Sequence, residues 1–177
     1  SIIEHGYEQD WIKPQPPKHR TGKKVAVIGS GPSGLACADQ LNKQGHKVTV
    51  YEKNEVIGGL LTLGIPDFKL EKWVVERRVK RMHQEGVSFK TGVNVGVDIN
   101  ANDLKEKYDA IVLCGGAEDA RDLPIPGREL EGVYQAMYFL PQQNRRTLGS
   151  HVDPKESVTA QGKKVVVLGG GDTGSDC

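Results

Sequence analysis

Cysteine is scarce in this chain, and the three present, Cys37, Cys114 and Cys177, fall into no C-x-x-C spacing. That excludes a disulfide framework, a zinc site, or an iron-sulfur cluster held by this chain alone. Histidine is equally thin, with five residues and no pair at helical i, i+4 spacing to grip a metal. An excess of one charge is missing too: 24 basic residues against 23 acidic leave a net +1. Neither nucleic acid nor an anionic membrane surface is therefore an expected partner. No apolar run approaches the roughly 18 to 20 residues of a membrane span, and the opening SIIEHGYEQD has neither a basic nor an apolar leader region. The expectation is a soluble, non-secreted, cytoplasmic chain whose 177 residues suffice for one complete core and part of a second.

What is present is glycine, placed after apolar runs. Residues 1–23 contain Pro14, Pro16 and Pro17, which lock φ and remove backbone donors, so an extended arm or linker is expected. Val25-Ala26-Val27-Ile28 then reads as a buried parallel strand. Residues 33–44 carry Gly34, Cys37, Ala38 and Leu41 on one helical face, and Gly45 stands where a left-handed residue would end the helix. Lys47 to Glu52 is a second strand. Such a strand-helix-strand unit crosses over right-handed and begins a doubly wound, Rossmann-like α/β sheet.

Further along, Val75, Val79 and Met82 mark an amphipathic helix over 71–85, with Glu76, Arg77, Lys80 and Arg81 as its solvated face. Strands are expected at 87–91 and 109–114. Residues 133–148 suggest a helix interrupted at Pro141, 149–163 a linker, and Lys164 to Leu168 a new strand that runs into Gly169 to Gly174 with no room left for a following helix. The expected division is therefore an arm over 1–23, a dinucleotide-binding domain over 24–148, a linker, and the start of another domain over 164–177.

The chemistry lies in the glycines. Gly29-Ser30-Gly31-Pro32-Ser33-Gly34 follows a strand and opens a helix, and Glu52 ends the next strand. Gly29 permits a tight turn, Gly31 lets the backbone approach a pyrophosphate without a Cβ, and Gly34 allows helix and strand to close up. The helix amino end, with unpaired N–H groups and about half a unit of positive charge, faces the phosphates. Glu52, with Lys53 beside it, is placed to accept from a ribose, and an acid there disfavours a 2′-phosphate. The doublet Gly58-Gly59 with Leu60 and Leu61 reads either as a plain turn or as a second backbone approach to the same cofactor. Coming after the first fingerprint, it points to FAD rather than NAD. Leu113-Cys114-Gly115-Gly116 is either a strand end or a close passage beside that cofactor. Gly169 to Gly174, with Gly170, Gly171, Asp172 and Thr173 at the turn, repeats the fingerprint. A flavin site followed by a nicotinamide-nucleotide site serves hydride transfer between cofactors.

These strings, with Gly64-Ile65-Pro66-Asp67-Phe68-Lys69-Leu70 as the most specific, resemble the NADPH-oxidising small-subunit family of glutamate synthase over essentially the whole chain. Dihydropyrimidine dehydrogenase and NADPH:ferredoxin oxidoreductase subunits share the module. The resemblance implies an FAD domain interrupted by an NADPH domain, preceded in the parent by a domain holding iron-sulfur clusters. Electrons would pass to the FMN of a large partner subunit, where glutamate is formed. It further implies that Lys69 lies near phosphate or flavin, unless it is only a surface charge, and that Val95 offers backbone to the adenine. No acid, base or nucleophile is expected, because hydride transfer between stacked rings needs positioning. The chain is expected to be part of such a flavoprotein and, alone, inactive as an NADPH oxidase; the rival expectation is an FAD- or ADP-binding docking module without activity.

Overall fold

The computed structural model describes all 177 residues, Ser1–Cys177. In chain order the elements are α1 (Ile2–Glu8), β1 (Lys24–Ile28), α2 (Pro32–Lys43), β2 (Lys47–Tyr51), a π-helical turn (Leu60–Gly64) and α3 (Lys72–Gln84). Then come β3 (Ser88–Lys90), α4 (Ala101–Lys107), β4 (Ala110–Leu113), α5 (Ala136–Thr147) and α6 (Asp172–Asp176). No helix is long and apolar enough to cross a membrane. The chain forms two compact units, one of Ser1–Gly59 with Trp73–Gly116 and one of Leu60–Lys72 with Ala117–Cys177. The stretch expected to be one domain over 24–148 is thus shared between them.

The first unit is a four-stranded parallel sheet in the order β3-β2-β1-β4. β1 lies between two partners, and its Val25, Ala26 and Val27 are 0–5% exposed. A central parallel strand is covered on both faces, which is why its sequence is continuously apolar rather than alternating. Ala26 and Tyr51 pack with Leu104 of α4 and with Ile28, Val95, Ile99 and Ile111 on one face. By the two-residue alternation Val25 and Val27 point to the other, where α2 lies against β1 and β2. α2 ends as the glycine signal requires: Gly45 has φ +90, and the Gly45 and His46 amides bond to the carbonyls of Asn42 (2.9 Å) and Leu41 (3.2 Å).

Residues 1–23 are not wholly extended. Ser1 caps α1 by accepting from the Glu4 amide, and Glu4 receives two hydrogen bonds from the Arg77 guanidinium, at 2.9 and 2.5 Å. The guanidinium also lies 3.6 Å from the Tyr7 ring centroid and 4.7 Å from that of Trp73. Arg77, expected on a solvated face, is therefore the anchor of α1 on α3. Arg20 straps the rest of the arm down, donating to Asn42 Oδ1, the His46 carbonyl and the Glu85 carbonyl at 2.8, 2.9 and 3.2 Å.

The second unit is organised around Asn144. Its side-chain amide donates to the carbonyls of Leu63 (2.9 Å), Gly64 (3.3 Å) and Leu140 (3.2 Å), capping the end of the π-helical turn that no local signal announces. α5 runs through Pro141 without interruption. One lost ladder bond is outweighed by keeping Leu140 and Asn144, both buried, on the 60–64 turn. The expected strand over 164–168 is not formed. Those residues pair with no strand, and Val165 to Leu168 are 46–82% exposed, because a lone extended segment leaves its backbone groups to water. The expected absence of a helix beyond it is also corrected, by the single turn of α6.

Candidate functional site

At the carboxyl end of β1 the chain turns sharply into α2. Gly29 has φ +103, its amide bonds to the Tyr51 carbonyl at 2.8 Å, and a Cβ on it would strike the Cys114 backbone. A Cβ on Gly34 would strike the Gly29 carbonyl oxygen. These two glycines are therefore required by packing. Gly31 differs: it caps α2 in extended conformation, φ −63 and ψ −178, and a Cβ there would meet nothing within 4 Å. It borders open space, so packing does not require a glycine there. No side chain caps α2, and Pro32 occupies its first turn, so the N–H groups of that turn are left for an external acceptor. Gly59, with φ +53, would place a Cβ 2.9 Å from the Gly31 Cα, so the doublet loop lies directly beside the cradle.

Ser30 and Glu52 brace this turn from behind. Ser30 is fully buried and Glu52 is 5% exposed. Glu52 Oε2 accepts from the Ser30 amide (3.0 Å) and hydroxyl (2.5 Å), while Oε1 accepts from the Asn54 amide (2.9 Å) and side chain (2.8 Å). The Ser30 hydroxyl also accepts from the Gly58 amide at 3.0 Å. One carboxylate thus ties the glycine turn, the strand end and the doublet loop together. Burial pushes the Glu52 carboxyl up, but the donors from Ser30 and Asn54 outweigh it and hold the group below its ordinary value. A carboxylate offers about four acceptor positions, and protein donors fill all of them. Any further donor to Glu52 has to exchange with one of these. Asn54, which sequence reasoning missed, is signalled only by its place two residues after the acid.

The other expected residues are dispersed. Gly115 is exposed with nothing near its Cβ position, and Gly116 has φ +74, an open strand end. Lys53 is exposed, and Val95 is half-buried in the Leu104 cluster and bridges Ile99. In the second unit Leu60 is 55% exposed and Leu61 half-buried on the π-helical turn. There Lys69 donates to Ser175 Oγ (2.9 Å) and pairs with Asp176. Its neighbour Lys72 went unnoticed in the sequence and is 5% exposed. It donates to the Ile65 and Leu70 carbonyls, and burial pushes its ammonium down while Asp67 opposes the shift. Gly170, Gly171, Asp172 and Thr173 form the exposed turn into α6.

A sheet of this order with a glycine turn at the end of β1 belongs to the dinucleotide-binding class. A family model described as pyridine nucleotide-disulphide oxidoreductase matches residues 23–177, and the chain belongs to that family. It is 55% identical over 177 residues to the glutamate synthase [NADPH] small chain of Bacillus subtilis, covering 100% of this chain and 36% of that protein. To the small chain of Mycobacterium tuberculosis it is 56% identical over 179 residues, covering 99% and 37%. The chain therefore spans little more than a third of these relatives. Among solved structures, Mycobacterium tuberculosis FprA in complex with NADPH is similar at a TM-score of 0.63 and 28% identity, covering 70% of this chain and 29% of that one.

Proposed function

We propose that the chain is the part of a glutamate synthase small subunit that carries the amino-terminal stretch of its FAD domain and the start of its NADPH domain. The carrying observation is the uncapped amino end of α2 beside open space at Gly31. The similarity to glutamate synthase [NADPH] small chains supports the choice of reaction. Residues Gly29, Ser30, Gly31, Pro32, Ser33 and Gly34 fit a diphosphate: the backbone is bare where the anion would lie, and the Glu52 carboxylate behind it is turned inward and saturated. When bound, FAD supplies the two-electron acceptor for hydride from NADPH.

The residues of this chain bind and orient rather than transfer protons. Amides of the α2 first turn face the diphosphate, Gly58 and Gly59 close the near wall, and Glu52 holds both loops in place while offering itself to a ribose by donor exchange. In the full-length subunit, iron-sulfur clusters and the FMN-containing large subunit would carry the electrons onward to glutamate formation in the cytoplasm. The turn at Gly170, Gly171, Asp172 and Thr173 would open the NADPH domain; with its strand unpaired, NADPH oxidation by this chain alone is not expected.

Titration with FAD, and with ADP as the pyrophosphate half alone, tests the site by amide chemical shifts. Saturable shifts at Gly31, Ser33, Gly34 and Gly59 are expected from both. Shifts confined to other regions, or none, would refute the assignment.

A further inference from the structure

The amino ends of the strands lie roughly 15 Å from the glycine cradle, the length of five strand residues, and carry a different chemistry. β1 opens on Lys24, β2 on Lys47 and β3 on Ser88, and Lys24 and Lys47 are register partners. Parallel partners stand about 4.8 Å apart on the same side of the pleat, so two lysine side chains leave the sheet abreast. A groove of about 440 Å³ opens there, walled by Lys24, Lys47, Lys107, Arg20, Ser88 and Tyr108, with no carboxylate in its lining.

The ammonium groups of this wall have no paired carboxylate. Lys24, Lys47 and Lys107 take part in no ion pair. Arg20 spends its guanidinium on neutral acceptors, the Asn42 side chain and the His46 and Glu85 carbonyls. The acids that adjoin lining residues in sequence are engaged elsewhere or lie outside the groove. Asp109 accepts from the Lys23 ammonium and the Lys24 backbone amide, both at 2.8 Å. Glu85 takes the Gln15 amide at 3.1 Å and lies 3.5 Å from Arg81 Nε. Glu106, next to Lys107 on α4, contributes nothing to the lining. Four cations surround one concavity whose lining holds no acid, and Asp109 at its edge is matched by Lys23, so a focused positive potential remains. The lysines and Arg20 are donors only, the Ser88 and Thr49 hydroxyls add more, and Val48 and the Tyr108 ring give a short apolar wall.

From this we infer a second anion site that takes the phosphate group of a small phosphorylated metabolite, held by Lys24, Lys47 and Lys107. The ligand that matches a donor-only wall is a multiply charged acceptor, and lysine is a point-charge phosphate binder. The volume exceeds a lone phosphate and falls in the range of small-ligand pockets, about 300 to 1,000 Å³. The inference is independent of the cofactor reading, since no residue of the glycine cradle lines this groove.

The test is an amide-shift titration of the 177-residue chain at physiological ionic strength, with inorganic pyrophosphate in one arm and AMP in the other. Saturable shifts at Lys24, Lys47, Thr49 and Ser88 are expected, with a dissociation constant below about 1 mM. Saturation by AMP supports the phosphorylated metabolite, and saturation by pyrophosphate alone overturns it in favour of an inorganic anion. The Lys24→Gln/Lys47→Gln variant should weaken groove binding at least tenfold and leave the response of Gly31 to Gly34 and the circular dichroism spectrum unchanged. Lys107→Gln, on an exposed helix end, repeats the test should the double variant fold poorly. Shifts confined to Gly31 to Gly34, an equal response to chloride at matched ionic strength, or undiminished groove binding in both variants would overturn the inference.

Discussion

Two stretches of this chain carry nearly the same glycine fingerprint in opposite surroundings. Gly29 and Gly169 have φ of +103 and +111. Gly31 and Gly171 cap their helices with φ/ψ of −63/−178 and −79/−176. The amides of Leu35 and Ser175 close the first turn onto them at 2.9 and 3.0 Å. In both, the last glycine is the one whose Cβ would strike the carbonyl of the first. Yet Val25 to Val27 are buried between two partner strands, whereas Val165 to Leu168 pair with nothing and stand in solvent. The turn is thus a local property of glycine spacing, and the strand before it is a property of its neighbours.

The comparison breaks most visibly at the third glycine. Gly34→Val should cost about 3 kcal/mol, because the clash is with backbone that cannot yield. Gly174→Val should change global stability by less than about 0.5 kcal/mol, since the turn it distorts has no sheet behind it. Urea unfolding of the two variants checks this, and equal losses would show the second motif to be as firmly seated as the first.

Next in size is the strand. Val27→Ala should cost roughly 2 kcal/mol through lost burial and a residual cavity, and Val166→Ala nearly nothing, read from the same unfolding curves. A comparable penalty at Val166 would mean that the 164–168 segment is buried in solution.

The smallest effect concerns the brace that only the first motif possesses. Glu52 titrates below its ordinary value in the folded chain, so its contribution is fully present above about pH 4.5 and is lost as the pH falls through the lower folded value. Glu52→Gln should cost about 1.5 kcal/mol at neutral pH, the value of a hydrogen bond to a charged group. The gap from the parent chain should close in acid. A gap that stays constant down to pH 3 would contradict the hydrogen-bonded carboxylate.

Much of the first unit is legible in the sequence. Val25 to Ile28, the helical face of Gly34, Ala38 and Leu41, and the stop at Gly45 signal themselves within a dozen residues, because periodicity and glycine conformation are local facts. Helix α1 was hidden by the prolines that follow it, and its anchor, Arg77, lies seventy-three positions from Glu4. The π-helical turn was hidden for the same reason, since Asn144 reaches it from eighty-one positions away. At the candidate site the turn, the acid and the doublet could be read, but not that Ser30 and Asn54 consume the acid's acceptor positions.

Glycine spacing and apolar periodicity alone dictated the two turns, the β1-α2-β2 unit and its terminators, because those depend on the torsions of adjacent residues. Strand pairing, the partners of Glu52, Arg20 and Arg77, and the gathering of Lys24, Lys47 and Lys107 around one groove came only with the fold. Each needs groups distant in the chain to be brought within a few ångströms, and only long-range packing does that.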